Sequence, residues 1–308
     1  MNGDGTPTVA FLGLGNMGLP MAANLAAAGY TVHGYDPVPA AVAAARAAGI
    51  DVAAAAAEAT ADARVVITML PSGGHVLDAY GTGAGIVGTV AAGTLLIDCS
   101  TIDVNDARAA HVVAAAAGLR AVDAPVSGGV VGATAGTLTF MVGGDDEAVA
   151  RARAVLEVMG RRIVHCGEPG AGQAAKMCNN MILAASMIAV SEAFVLAESL
   201  GLDHQALFDV VSTSSGQCWA VTTNCPVPGP VPTSPANRDF QGGFATALMA
   251  KDLRLAAAAA EHGAGDIAVG RHALAIYEEL AATTPDRDFS VVIDAIRRRS
   301  RPSEGTNP

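Results

Sequence analysis

Lysine is rare in this chain, and that rarity directs attention to two positions. Of eighteen basic residues sixteen are Arg, and Lys occurs only at Lys176, in AGQAAKMCNN, and at Lys251, in ALMAKDLRLA. A buried ammonium can give up its proton near neutral pH, which a guanidinium cannot. Asn180 follows Lys176 by four residues, with Asn179 beside it. On a helix that spacing puts a proton carrier and an amide able to orient a hydroxyl on one face. Phe244, Leu248 and Leu255 stand at helical spacing around Lys251, which predicts a buried stripe there too. The competing explanation is a compositional drift towards arginine that spared two lysines.

A second group of residues could hold a dinucleotide. The apolar run TVAFL leads into GLGNMG, which sets Gly13, Gly15 and Gly18 around Asn16 and Met17 ahead of a helical pattern. The first glycine permits a tight turn, the second lets a pyrophosphate reach the backbone, and the third packs helix on strand. The next strand pattern, TVHGY, ends at Asp36, twenty-three residues after Gly13. A carboxylate there accepts from ribose hydroxyls and repels a 2′-phosphate, so NAD is expected in preference to NADP. Two later strand ends fall at the same edge: Met69, Leu70 and Pro71 in TMLPSGG, and Ser100 and Thr101 in DCSTID. In DAPVSGGVVGATAGTL, Ser127, Gly128 and Gly129 offer a hydroxyl and unhindered N–H groups to an anion. A glycine-rich turn with no ligand is the plainer reading of that stretch, and the two lysines are what weigh against it.

These groups need a scaffold, and the pattern supplies one. From Thr8 to about Cys166 short β-branched runs (TVAFLG, TVHGY, RVVITML, TLLIDCS, LRAVDA, LTFMVG, RRIVHC) alternate with Ala-rich helical stretches. That alternation predicts an α/β fold with a doubly wound, mostly parallel Rossmann-type sheet. After Gly172 the strand signals stop, and an all-helical second domain is expected. The boundaries predicted are 1–167 for a dinucleotide-binding domain and 168–308 for a helical substrate and oligomerisation domain, bridged by a long helix at about 173–200. A helix is expected after Asp203, then a Pro-rich loop from about Ser214 to Phe240, then helices to about Arg299. The loop is long for a compact domain, which marks it as a functional or wrapping segment. Trp219 and Phe240 in it are candidates for contact with a substrate, although Trp219 could equally be plain core. The closing RRRSRPSEGTNP reads as a basic helix end and a frayed tail with no role assigned.

Composition narrows the partners. A net charge of -11 and a pI near 4.9 argue against nucleic acid and anionic membranes. An acidic protein that binds a small acid must then build positive potential locally. The five cysteines form an odd, scattered set with no CxxC pair, which argues for reduced thiols and no metal site. No stretch reads as transmembrane, because the most apolar one begins beside Lys176, Asn179 and Asn180 and contains Glu192 and Glu198. The opening MNGDGTPTVAFLGLG has no basic segment before its first strand, so a cytoplasmic location is expected.

FLGLGNMGLPMAANL, DAPVSGGVVGATAGTLTFMVGG and GAGQAAKMCNN resemble the β-hydroxyacid dehydrogenase family over nearly the whole chain. The stretch from SSGQCW through NRDFQGGFATALMAKDLRLA resembles its 3-hydroxyisobutyrate dehydrogenase branch. The resemblance implies NAD-dependent oxidation of 3-hydroxyisobutyrate to methylmalonate semialdehyde, a step of valine breakdown, by a homodimer or homotetramer with its active site in an interdomain cleft. It implies Lys176 as the catalytic lysine, with Ser127, Gly128, Gly129 and Asn180 around the substrate carboxylate and hydroxyl. Lys251 would sit where cofactor and substrate meet, and Leu70, Pro71 and Thr101 would touch the cofactor. His75 stands where an asparagine is expected at a further cofactor contact. The alternatives are a reductase of glyoxylate or another short-chain semialdehyde within the same family, and a non-catalytic scaffold of the same fold.

Overall fold

The computed structural model describes residues 7–81 and 85–300, with the side chains of residues 262 and 264 left aside. The terminal tail read from the sequence lies outside these residues. The chain divides into two compact units, with the division between Lys176 and Met177.

The first unit is built on a nine-stranded sheet. Its strands are β1 (Val9–Leu12), β2 (Val32–Tyr35), β3 (Asp51–Val52), β4 (Val65–Thr68), β5 (Leu95–Asp98), β6 (Arg120–Asp123), β7 (Val126–Ser127), β8 (Leu138–Gly143) and β9 (Gly160–Gly167). The order is β3-β2-β1-β4-β5-β6-β8-β7, with β9 on β8. The first six strands are parallel and follow the order of dinucleotide-binding folds, which reverses direction between β1 and β4. β8 runs antiparallel to β6 and β7 and parallel to β9. Seven strands coincide with the apolar runs. β3 and β7, two residues each, carry too few alternating side chains to stand out from an Ala-rich stretch and a glycine turn.

Both faces of the sheet are covered. Val9 and Phe11 of β1 join a core with Met21, Leu25, Val155 and Leu156 from helices on one side. Ala10 and Leu12, pointing the other way, join Val76, Tyr80 and Ala107 on the other. This period-two alternation between two apolar layers is the signature of a doubly wound sheet.

The second unit is helical, and among its described residues the only strand-like pairing is an isolated bridge from Ala245 to Asp288. The long helix runs Ala171–Ser199. Its first six residues stay with the first unit, past the boundary expected at 167/168, because Asp123 on β6 accepts the backbone N–H groups of Gly170 at 2.7 Å and Gln173 at 3.1 Å. The helix is long and apolar enough to cross a membrane, with a mean hydropathy of 1.8 over its most apolar window. Its buried stripe, Ala184, Met187, Ile188, Phe194 and Val195, packs instead into the core of the second unit. The helix predicted after Asp203 is His204–Val211, capped by the Asp203 carboxylate.

The Pro-rich segment contains a short helix, Trp219–Thr222, and a 3-10 turn, Pro235–Arg238. Trp219 is 50% exposed, so the plain-core alternative for it fails. Phe240 is buried at 6% within the apolar cluster of the second unit. The stripe predicted around Lys251 is also corrected. On the helix Thr246–Ala259 the buried residues are Thr246, Met249, Ala250, Asp252, Leu253, Ala256 and Ala257. Leu248 is 49% exposed, and Lys251 lies at the half-buried margin. The apolar stripe is rotated because the alanines, which carry little pattern signal, form the buried face.

Asp288 organises the second unit. Its buried carboxylate accepts from Asn224 Nδ2 at 3.0 Å, Phe244 N at 2.7 Å, Ser290 N at 3.0 Å and Ser290 Oγ at 2.6 Å. Asp288→Ala would orphan all four donors and is expected to destabilise the protein by about 3 kcal/mol or more, since bonds to buried charged groups are the strong ones. Urea unfolding of the full chain checks this, and a midpoint equal to wild type would contradict it.

Candidate active site

The carboxyl edge of the parallel sheet gathers most of the residues selected from the sequence. Gly13 follows β1 with φ +95°, and a Cβ there would stand 2.2 Å from the Met69 carbonyl oxygen at the end of β4. Gly18 opens the helix Gly18–Ala27, and its Cβ would lie 1.9 Å from the Gly13 carbonyl oxygen. Both positions exclude a side chain by backbone contact. Gly15 differs: it is exposed, and nothing lies within 4 Å of its would-be Cβ. The glycine that should admit a pyrophosphate therefore has open space on its side-chain face. Asn16 is exposed and Met17 half-buried beside it.

Asp36 is held by this turn. One carboxylate oxygen accepts the Leu14 N–H and the other the Val38 N–H, each at 2.8 Å. A carboxylate has about four lone-pair sites, so two bonds fix its orientation and leave capacity for ribose hydroxyls. At the neighbouring strand ends, Leu70 N donates to Ser100 Oγ at 2.8 Å. Ser100 is buried and in turn donates from Oγ to Asp98 Oδ1 at 2.6 Å. Pro71 is exposed at the same turn. His75 lies on the first turn of the helix Gly73–Tyr80, where its Nδ1 pairs with the capping Ser72 Oγ at 2.7 Å.

Gln173 connects this edge to the helix that carries Lys176. Its Oε1 accepts the Ile102 N–H at 3.1 Å and its Nε2 donates to the Ser100 carbonyl at 2.7 Å, so one amide clamps the residues on both sides of Thr101. Gly172 must be glycine, since a Cβ would meet the Met141 carbonyl oxygen at 2.3 Å and Asp123 Oδ2 at 2.8 Å. Lys176 is buried, at 7% exposed, on the turn that follows Gln173.

Ser127 closes β7, and the turn after it has Gly128 at φ +132° and Gly129 at φ +60°. Two successive positive φ values account for the glycine pair. In the second unit, Asn180 is 2% exposed, and its Nδ2 donates to Asp252 Oδ2 at 2.5 Å while its Oδ1 accepts from Asn179 Nδ2 at 2.9 Å. Asp252 is thereby the anchor of the Asn180 amide. Sequence reasoning passed over it, as it did Asp98, Asp123 and Gln173. The available signal was an acid or amide inside an otherwise apolar stretch: LLIDC, RAVDA, AGQAA and MAKDL.

The class follows from this edge. A glycine turn with an open middle position, set against an acid at the tip of the second strand, belongs to the NAD-linked oxidoreductases with a doubly wound sheet. Residues 8–167 match the model for the NAD binding domain of 6-phosphogluconate dehydrogenase. Residues 170–296 match the model described as the NAD-binding domain of NADP-dependent 3-hydroxyisobutyrate dehydrogenase. The chain is 56% identical over 293 residues to a probable 3-hydroxyisobutyrate dehydrogenase of Mycobacterium bovis, covering 95% of this chain and 99% of that one. It is 48% identical over 285 residues to the NAD-dependent L-serine dehydrogenase of Pseudomonas aeruginosa, covering 92% and 96%. It also resembles the solved structure of Mycobacterium tuberculosis 3-hydroxyisobutyrate dehydrogenase with L-serine, at a TM-score of 0.91, 56% identity, and 95% and 99% coverage. The chain belongs to the 3-hydroxyisobutyrate dehydrogenase branch of the β-hydroxyacid dehydrogenases, and its cofactor is NAD.

Asp36 generates a test of cofactor choice. Asp36→Asn keeps the shape and an acceptor for one of the two backbone bonds but removes the charge that repels a 2′-phosphate. The kcat/KM with NAD is expected to fall by about tenfold, the worth of one charge-assisted hydrogen bond, while use of NADP rises. Steady-state kinetics with both cofactors decides it, and an unchanged NAD to NADP ratio would remove the ribose argument.

Proposed function

We propose that the protein oxidises 3-hydroxyisobutyrate to methylmalonate semialdehyde, the reaction of valine breakdown, in the cytoplasm and as a homo-oligomer. When bound, NAD supplies the hydride acceptor. Gly13, Gly15, Asn16, Met17 and Gly18 would hold the pyrophosphate at the start of the Gly18–Ala27 helix, whose N-terminal N–H groups and dipole favour anions. Asp36 would hold the ribose, with Met69, Leu70, Pro71, His75 and Thr101 along the remainder of the cofactor and Lys251 at its substrate end; Ser100, fully buried, would support the Leu70 turn from behind instead of touching the cofactor. Ser127, Gly128 and Gly129 would take the substrate carboxylate. Trp219, half exposed, would shape the space around its methyl group, whereas Phe240, with its ring in the apolar cluster of the second unit, would act only by anchoring the loop that carries Trp219.

The observation that carries this reading is Lys176 itself: one of two lysines in the chain, 7% exposed, on the helix turn after the Gln173 clamp. A buried amine takes the hydroxyl proton as the C–H bond is given up, and returns it in the reverse direction. Asn180, one turn on, orients the hydroxyl, and its own amide is fixed by Asp252.

L-serine is the second substrate to weigh, since it is named with two of the similar proteins. Both acids present a primary alcohol two carbons from a carboxylate and differ in a methyl against an ammonium group at the carbon between. The alcohol chemistry assigned to Lys176 serves both. Assays of each acid with NAD distinguish them, and a kcat/KM for L-serine above that for 3-hydroxyisobutyrate would replace the first assignment.

Lys176→Arg tests the mechanism. It keeps the positive charge and most of the bulk but removes the neutral form. If the lysine moves the proton, kcat falls by roughly two to four orders of magnitude, with NAD affinity nearly unchanged. If it only anchors an anion, KM rises and kcat is largely kept. Near wild-type kcat in the Arg variant would refute the acid–base role.

A further inference from the structure

Beneath the cofactor edge, on the face of the sheet covered by the helices Gly73–Tyr80 and Val104–Ala116, lies a group of buried polar side chains that the chemistry above does not use. Asp98 and Asp123 are register partners on the adjacent parallel strands β5 and β6, so their side chains project from the same face. They are 4% and 1% exposed. With Tyr80 and His111 they line a cavity of about 10 Å³ open to the centre of a water molecule, whose remaining wall is mainly alanine.

The hydrogen bonding around this cavity is lopsided. Asp98 Oδ1 accepts from Thr68 Oγ1 at 2.8 Å, Ser100 Oγ at 2.6 Å and Ser100 N at 3.2 Å. Asp98 Oδ2 and Tyr80 Oη are both buried and find no partner among the described protein groups. The Thr68 hydroxyl, the nearest side-chain partner for Tyr80, gives its proton to Asp98, so towards Tyr80 it can only accept, and no bond of hydrogen-bond geometry joins the two. Across the cavity, Asp123 Oδ1 takes Gly170 N and pairs with His111 Nε2 at 3.1 Å, while Oδ2 takes Gln173 N. Unsatisfied polar atoms this deep are rare in native proteins, and a cavity of this size with three or four polar neighbours matches the requirements of one internal water.

We propose that this cavity is a binding site for a single water that joins Tyr80 Oη and Asp98 Oδ2 to the Asp123–His111 pair, and that Tyr80 and Asp98 are thereby positioning residues for the dehydrogenase site. The water closes a buried chain. At one end Asp98 holds Ser100, which holds the Leu70 N–H of the cofactor turn. At the other end Asp123 holds the first turn of the helix bearing Lys176. Burial pushes the Asp98 carboxyl above its usual range, the neighbouring Asp123 adds to this, and the Ser100 and Thr68 bonds oppose it. With Oδ1 already accepting three bonds, a proton on Asp98 would sit on Oδ2. A water answers either form of that oxygen, because it both donates and accepts.

The water site stands independently of the reaction; only its link to catalysis rests on the Lys176 reading. The test therefore uses readouts that need no turnover. A high-resolution crystal structure of the full-length protein is expected to show one ordered water within hydrogen-bond distance of Tyr80 Oη and Asp98 Oδ2. Tyr80→Phe removes one hydroxyl from the chain with little change of shape. It is expected to raise hydrogen-exchange rates at the Leu70 and Gln173 amides together by roughly tenfold and to weaken NAD binding, measured by calorimetry, by about three- to tenfold. Asp98→Asn, which can still accept on one side and donate into the cavity, is expected to keep both amides within about threefold of wild type. A density map with no water at this position overturns the site. A Tyr80→Phe protein that loses thermal stability while its Leu70 and Gln173 amides exchange at wild-type rates overturns the positioning role. Lys176→Arg results bear on neither.

Discussion

One carboxylate sets the relation between the sheet edge and the helix that carries the chemistry. Asp123 sits at the last position of β6 and accepts two backbone N–H groups, from Gly170 and Gln173, at the point where the chain turns into the long helix. The first N–H groups of a helix have no partners inside it, and here a buried acid from a strand fifty residues earlier supplies them. A negative charge at that end also favours the helix dipole. Because Gly172 leaves no room for a side chain, the helix start lies directly on the Asp123 and Met141 backbones. Gln173 then ties the Ser100 to Ile102 segment to the same turn. Within the first unit, the height of Lys176 above the strand ends follows from these contacts.

The same arrangement bears on the charge problem posed by an acidic chain that binds an anionic cofactor. Its net charge is -11, and the sheet edge contains Asp36, Asp98 and Asp123. Each acid is absorbed locally. Asp36 is directed by two N–H groups, Asp123 by two N–H groups and His111, and Asp98 is surrounded by hydroxyl donors while burial favours its neutral form. The positive potential for an anion then comes from exposed N–H groups at the glycine turn and at the Gly18–Ala27 helix start. Surface arginines are engaged elsewhere: Arg120 with Asp145 and Glu147, and Arg297 with Glu198 and Asp294. Backbone dipoles are well suited to the task, since they bring no counter-charge and no side-chain entropy.

Much of this was legible in the residues. Strands long enough to alternate were legible, as were the glycine turn, Asp36 at a strand tip, and the Lys176–Asn180 face. β3 and β7 were not, because two residues cannot display a period of two. The burial of Lys251 was misjudged because Leu248 looked like core, whereas the alanines at 250, 256 and 257 form the buried face. Alanine is compatible with both surface and core, so an Ala-rich chain hides the phase of its helices. The supporting polar residues Asp98, Asp123, Gln173 and Asp252 were harder still. Each makes at least one of its contacts with a residue distant in the chain, and no local spacing marks an acid as buried until the fold has brought those donors to it.

Local preference is overruled most sharply at the end of the Pro-rich segment. Asp239 and Phe240 both have positive φ, 53° and 56°, a region that costs an L-residue roughly 1–2 kcal/mol. Asp239 is a tolerant type for it, whereas a bulky aromatic is not. The cost is offset by surrounding bonds. Arg287 grips the Asp239 carboxylate with two N–H groups at 2.9 and 3.3 Å, Phe240 N donates to the Pro235 carbonyl at 2.9 Å, and Asp288 N donates to the Phe240 carbonyl at 2.9 Å. Asp288 is the same residue whose carboxylate gathers Asn224, Phe244 and Ser290. The left-handed pair therefore turns the chain so that the Phe240 ring enters the apolar cluster while its carbonyl faces the Asp288 hub. A glycine at 240 would relieve the strain and lose the ring, so the strain is the cost of anchoring the proline loop by an aromatic side chain.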